Sequence, residues 1–426
     1  MQYQIPRYPN IVARCSLPES PYIEEAIMET NFLQRLQLKR RGNRFSAQNL
    51  ARVVKGGAPF FSLLTELIET AAHSIHLQTY IFNNDSTGKR IAEALMAAAK
   101  RGVMVYLMAD GYASRSLPKE FIKNLEDAGV NFRFFEPVFR SEHFYFGRRL
   151  HHKIAVFDSK YGLVSGSNVA DRYNDLPNQP AWFDMAVFVE GDSVLELYDI
   201  CVKIWERDQT QKNLLRKKLL DLFNYIAKEE SVGIRVLQND WVRRKLEIYF
   251  AYQKLFKEAR NSITIVCSYF LPGLSLRNRL SKAVKRGVDV KVVLASTSDV
   301  ALTKHAERYL YSWMFRNGIQ IYEYQPTVLH AKFAVVDEEF LNLGSYNIND
   351  LSAQASVELN LLVKDAEVAQ EMQAEVKNII ESKCLKVEPS AYAFHLFSFR
   401  QLWRFLCYHA LRMTLALGTF YFKQEE

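Results

Sequence analysis

Two histidines stand in the same small constellation of residue types. The first copy is His151, Lys153, Asp158 and Asn168, and the second is His330, Lys332, Asp337 and Asn347. In both, Lys follows His by two positions, Asp by seven and Asn by seventeen. Imidazole serves as nucleophile, acid and base near neutral pH, while ammonium and amide groups stabilise anionic oxygen. That set suits displacement at a phosphodiester. One histidine attacks phosphorus to give a phosphohistidine; the other protonates the leaving alkoxide and later deprotonates the incoming hydroxyl. The lysines neutralise developing charge, so the chemistry calls for no metal and no cofactor. A single His-x-Lys is commonly a packed histidine beside a snorkelling lysine, but two copies with every offset matched are not explained that way.

Side chains two apart on a strand share a face, so each His–Lys pair meets one ligand while His152 and Ala331 point away. Apolar runs at 154–157 and 333–336 carry each strand into a core. A hairpin near Ser159 or Glu338 turns the chain back. The return strand ends in small residues, Ser165-Gly166-Ser167 or Gly344-Ser345, where a helix can start and its N–H groups favour a phosphate. Ser167, Ser345, Asn168 and Asn347 are therefore the expected phosphate contacts. Asp158 and Asp337 fall five residues past their lysines, on the opposite face, which fits structural hydrogen bonds near the hairpin. Each histidine also needs an acceptor on its far nitrogen. Asp184 and Glu358 are isolated acids in apolar strands, costly unless paired, and chain order assigns Asp184 to His151 and Glu358 to His330.

The elements that must hold these residues recur as well. Residues 74–82 read as a buried strand, 91–101 as an alanine-rich helix stopped by Gly102, and 103–108 as a strand ending near Asp110. This is a βαβ unit with parallel strands. A helix at 121–128 and a strand at 130–135 precede the first motif; a strand at 182–189 and a helix at 193–205 follow it. Residues 259–270, 280–294 and 316–324 restate the order, down to a second Lys-Arg-Gly-Val at Lys285. The expected fold is α/β: two tandem-duplicated halves, each a mixed, mostly parallel sheet flanked by helices, packed face to face around one active site. The boundaries are an N-terminal arm at 1–52, a first half at 53–207, a charged helical linker at 208–235, a second half at 236–388 and a C-terminal amphipathic segment at 389–426.

Bulk properties narrow the partners. The 426 residues are 49% hydrophobic and 24% charged, which excludes a largely disordered chain. A net charge of +8 favours an anionic partner. Five scattered cysteines without a Cys-x-x-Cys pair argue against a disulfide framework and a zinc site. Residues 1–14 mix prolines with charges and carry no apolar run of a signal peptide or membrane helix.

At its two motifs the chain resembles the phospholipase D superfamily, whose signature is His-x-Lys-x4-Asp followed by Gly-Ser or Gly-Gly, one residue and Asn. The second copy matches throughout; the first has Ser165 where a glycine is usual and keeps Gly166 and Asn168. Residues 79–82, 110–114, 168–173, 268–273 and 344–347 extend the resemblance to the bacterial cardiolipin synthases of the short kind lacking N-terminal membrane helices, over roughly 55–410. The resemblance implies a catalytic set of His151, Lys153, Asp158, His330, Lys332 and Asp337. It implies His151 as nucleophile and His330 as acid and base, although symmetry permits the reverse. The implied reaction is transphosphatidylation: phosphatidylglycerol gives its phosphatidyl group to histidine with loss of glycerol, and a second phospholipid hydroxyl accepts it.

The C-terminal stretch 394–422 is rich in aromatic and aliphatic residues but interrupted by Arg400, Arg404, His409 and Arg412. Those charges suit an interfacial helix better than a spanning one. The expected location is therefore peripheral, on the cytoplasmic side of the cell membrane. A hydrolase or nuclease would use the same two histidines. A nuclease needs aromatics interleaved along a basic groove, whereas here they concentrate at the C-terminus, so nucleic acid is not the expected partner. A phosphate-binding relative without activity would show decay in one motif, and both keep their polar residues.

Overall fold

The computed structural model describes residues 45–137, 148–206, 232–243, 245–298, 300–349, 356–392 and 399–421. In the first half, Ser74–Thr79 runs parallel to Met104–Asp110, which runs parallel to Asn131–Phe135. Helix Ser86–Lys100 makes the first crossover. Asp85 caps it by accepting the Gly88 N–H at 3.0 Å, and Gly102, at φ 92°, supplies the left-handed residue that ends it. Gly287 does the same at φ 93° in the second half, so the recurring Lys-Arg-Gly-Val is one structural device used twice.

On the other side of Ser74–Thr79 the motif hairpin, Lys153–Phe157 with Tyr161–Ser165, pairs antiparallel, followed by Met185–Gly191 and an edge strand Asn49–Lys55. That edge strand lies in the stretch the sequence reads largely as an arm. The sheet is thus mixed, with parallel pairing confined to the βαβ strands. The second sheet repeats the plan with Ser262–Cys267, Asp289–Ala295, Gln320–Tyr324, the hairpin Lys332–Val336 and Phe340–Gly344, then Ser356–Lys364 and Gly233–Asp240. Two helices, Ala301–Tyr309 and Tyr311–Arg316, occupy the place where the first half has only Lys119–Asp127. The linker helix expected at 208–230 and most of the arm lie outside the described residues.

Each half buries its own apolar cluster, around Phe61, Ile75 and Leu107 in the first and Tyr252, Ile265 and Val292 in the second. Burial of such side chains contributes about 1.5–3 kcal/mol each. The hairpin turns pass through two consecutive positive-φ residues, Asp158-Ser159 at 49° and 48° and Asp337-Glu338 at 55° and 54°, the geometry of a type I′ turn.

The halves meet end to end. Arg149–Leu150 pairs parallel with Ser356 and Val357, and Phe183 bridges Leu329 in the matching place. The His151 and His152 N–H groups both donate to the Val357 carbonyl at 3.0 Å; those of His330 and Ala331 donate to the Phe183 carbonyl at 2.8 and 2.9 Å. Behind this seam Arg148 is completely buried, donating to Asp240 at 2.6 and 3.2 Å and to Glu136 at 3.1 Å. Removing one member would strand a buried charge.

Candidate active site

The seam puts the start of each motif strand beside the start of the other half's acid-bearing strand. His151 Nδ1 lies 2.9 Å from Glu358 Oε2, and His330 Nδ1 lies 2.7 Å from Asp184 Oδ2. This corrects the assignment made from chain order: Asp184 serves His330 and Glu358 serves His151. The reason is the pairing just described. Each histidine N–H bonds the carbonyl of Val357 or Phe183, and the next residue along that strand, Glu358 or Asp184, then reaches its imidazole. With Nδ1 occupied, the ring nitrogen left to each histidine is Nε2, and both residues line one cavity of ≈ 460 Å³.

The carboxylates are held differently. Asp184 Oδ1 accepts the Met185 N–H at 2.8 Å. Glu358 Oε2 receives a hydrogen bond from the Ser345 hydroxyl, which itself accepts the Leu359 N–H at 3.1 Å, while Oε1 is buried without a partner. Ser345 is therefore corrected from a phosphate contact to a brace for Glu358. Ser167 is buried, and its hydroxyl has no hydrogen-bond partner. No α-helix starts after Ser165-Gly166-Ser167; the chain enters a 3₁₀ turn at Asp171–Tyr173.

Asn168 does line the cavity, and its Oδ1 accepts the Ile81 N–H at 3.0 Å, which turns the amide NH₂ toward the site. Asn347 is buried beside the Cys267 thiol, whose Sγ lies 3.8 Å from Oδ1. The ammonium groups of Lys153 and Lys332 donate to the carbonyls of His151 and His330, and Lys332 also to Ser268 Oγ at 3.1 Å. His152 lies on the other face, buried, its Nε2 2.9 Å from Gln78 Oε1.

Asp158 and Asp337 are about five residues of strand, roughly 16 Å, from their lysines. Asp158 accepts the N–H groups of Ala72, His73 and Ser74 at 2.7–2.8 Å, and Asp337 those of Arg260, Asn261 and Ser262 at 2.9, 2.7 and 3.0 Å. Their inclusion in a catalytic set is corrected by that distance. Each ties the hairpin turn to the start of the neighbouring strand and so fixes the register that presents His and Lys at the other end.

Burial drives both imidazoles toward the neutral form, against the pull of their carboxylates, and holds His330 at about 3. Burial, with repulsion from Lys332, brings Lys153 down to about 7, opposed by Glu358. Burial also pushes Asp184 up, but the His330 hydrogen bond and Lys332 more than reverse this, so it stays below the usual carboxylate range. The histidines and lysines of both halves act on one another as a single electrostatic cluster.

Several cavity residues were not singled out from sequence as site residues. Tyr80, Arg172 and Tyr173 come from the first half, and Val300 and Thr303 from the border and body of helix Ala301–Tyr309. Tyr408, Leu411 and Arg412 come from the C-terminal helix Phe399–Tyr421, which packs on Ala301–Tyr309. Asp110 acts one shell out: its Oδ2 accepts the Leu150 N–H at 2.9 Å, fixing the residue before His151. Asp110 and Arg172 lie in sequence stretches that carried the family resemblance, which was the available signal.

Two half-domains, each carrying one His–Lys–Asn motif and each lending its histidine to a shared cavity, define an enzyme of the phospholipase D superfamily. The family profile described as cardiolipin synthase, PLD-like domain, matches residues 64–199 and 252–380. The chain belongs to this family and is a phosphatidyltransferase of cardiolipin synthase type. It is 31% identical over 358 residues to cardiolipin synthase B of Salmonella typhi, covering 80% of this chain and 83% of that one. With the major cardiolipin synthase ClsA of Bacillus subtilis it shares 29% identity over 78% of this chain and 69% of that one. The fold is similar to that of phosphatidylserine synthase from Haemophilus influenzae Rd KW20, with a TM-score of 0.66 at 16% identity over 89% of this chain and 97% of that one.

Proposed function

We propose that this enzyme makes cardiolipin from two phosphatidylglycerols through a phosphohistidine. The observation that carries the reading is the pair of histidines in one cavity, each with Nδ1 engaged by a carboxylate and Nε2 left for chemistry. His151 Nε2 attacks phosphorus, the bond to glycerol oxygen breaks, and His330, which takes up a proton at Nε2 when the anionic phosphodiester binds beside it, gives that proton to the departing oxygen. A second phosphatidylglycerol then gives a hydroxyl proton to His330, its oxygen bonds phosphorus, and the bond to His151 breaks. Lys153, Lys332, Asn168 and Asn347 offset charge on the non-bridging oxygens.

The same reading takes the C-terminal helix as a peripheral contact with the cytoplasmic face of the membrane. Phe399, Leu402, Trp403, Leu406 and Met413 are exposed at helical spacing, while Cys407 and Tyr408 face the protein. Among the described residues no helix is long and apolar enough to cross a membrane. Incubating the purified chain with phosphatidylglycerol vesicles should yield cardiolipin and glycerol in equal amounts. Phosphatidic acid as the only lipid product would replace the synthase reading with a hydrolase.

A further inference from the structure

The two halves match in His, Lys and Asn, and that matched set has one anion to hold: the phosphate under attack. Around it the two halves differ in sequence. Four residues after Asn168 stands Arg172, a cavity residue, and four after Asn347 stands Leu351. Arg172 lies against two rings, 5.3 Å from Tyr173 and 5.0 Å from Trp182. Both rings also meet His330, at 4.9 and 6.0 Å between centroids. The cation is therefore one ring's width from the acid–base histidine. Its Nε is buried without a hydrogen-bond partner, and the Tyr173 phenol engages both Arg172 and Asn168, which ties the guanidinium to the phosphate clamp.

We infer that Arg172 binds the acceptor lipid's own phosphate, forming a second anion subsite that favours a phospholipid over water or a simple alcohol. This rests on the function proposed above. The acceptor hydroxyl must reach His330 Nε2 to lose its proton as its oxygen displaces His151 from phosphorus. In a phosphatidylglycerol acceptor three carbons separate that hydroxyl from the phosphodiester, so the second phosphate lies a short step from His330, on the side where Arg172 stands. A planar guanidinium suits a phosphodiester, and a charge-assisted pair of this kind is among the stronger polar contacts. Water and ethanol carry no phosphate and gain nothing from it.

The test gives the full chain phosphatidylglycerol vesicles together with ethanol as a competing acceptor and reads cardiolipin against phosphatidylethanol in the same tube. In Arg172→Gln the ratio of cardiolipin to phosphatidylethanol should fall about tenfold or more, and Arg172→Lys should fall between it and the wild type. A wild type that makes cardiolipin, with a ratio unchanged in both variants, overturns the subsite and leaves the synthase reading standing. A parallel loss of both products in Arg172→Lys also overturns it, by making Arg172 part of the common clamp. A wild type that makes phosphatidylethanol and no cardiolipin overturns the synthase reading and the subsite together.

Discussion

Replacing each orienting carboxylate by its amide should produce unequal losses, and the inequality follows from the hydrogen bonds. In Asp184→Asn, the Met185 N–H at 2.8 Å still needs an acceptor, so the amide oxygen takes the Oδ1 place. The NH₂ then faces His330 Nδ1, where the carboxylate stood at 2.7 Å. Nδ1 becomes an acceptor, the ring proton moves to Nε2, and His330 loses the lone pair it needs as a base. An analogous inversion in a serine protease triad costs about 10⁴ in rate, and acid–base catalysis is worth about 10² to 10⁴. In Glu358→Gln, the oxygen can keep the Oε2 place, accepting from Ser345 and His151, with the NH₂ at the unpartnered Oε1 position. The tautomer survives and only the charge is lost, a hydrogen-bond weakening of about 1.5–3 kcal/mol, or roughly 10- to 100-fold. Cardiolipin formation should therefore fall about 10³-fold or more in Asp184→Asn and at most about 10²-fold in Glu358→Gln. With a p-nitrophenyl phosphodiester, whose leaving group needs no proton, the burst of p-nitrophenolate that accompanies phosphohistidine formation should persist in Asp184→Asn while the steady-state rate, which needs the base, falls; in Glu358→Gln burst and steady state should fall together. Equal losses, or a burst abolished in Asp184→Asn, would refute the crossed pairing as the basis of the two roles.

The pH dependence of stability has a definite sign. His76 and His152 are fully buried and burial holds each at about 3; the unfolded chain binds those protons near 6.5, so stability rises with pH between these limits and drops on acidification. Melting temperatures should fall steadily from pH 6.5 to 4, and His152→Gln should flatten that slope; a slope identical to wild type would count against it. For the C-terminal helix, changing Phe399, Trp403 and Leu406 to Ser removes exposed apolar surface without touching Tyr408 or Leu411. Cosedimentation with phosphatidylglycerol vesicles should decrease severalfold more than turnover of a soluble phosphodiester, and equal decreases would remove the interfacial role.

The sequence made legible what depends on local periodicity and on duplication. Alternation along a strand separated His151 and Lys153 from His152, and the cost of an isolated acid inside an apolar strand pointed to Asp184 and Glu358 as the orienting carboxylates. What chain order could not carry is which half each acid faces, because that is set by the end-to-end meeting of two sheets through Val357 and Phe183. The same limit hid helix Ala301–Tyr309. Its Lys304, Glu307 and Arg308 look like a solvated face, yet Lys304 and Glu307 are buried, with Lys304 2.6 Å from Glu307 and 3.0 Å from Tyr311, and Glu307 accepting the Phe270 N–H at 3.1 Å. A buried pair of this kind is visible only once tertiary packing supplies its partners.

Duplication also explains why matched histidines need not share a task. The position after Ser165 or Gly344 is Gly166 in one half and Ser345 in the other. A Cβ at 166 would press on Asp184 Oδ1, so the short acid requires the glycine. The longer Glu358 instead leaves room for a serine and takes a hydrogen bond from its hydroxyl. Exchanging one member of either pair would break the other, which makes Gly166–Asp184 and Ser345–Glu358 coupled choices. One histidine thereby rests on a carboxylate pinned by a backbone N–H, and the other on a carboxylate held by a hydroxyl that can rotate. That difference, absent from the repeated His–Lys–Asn string, supports separate roles for His330 as acid and base and His151 as nucleophile.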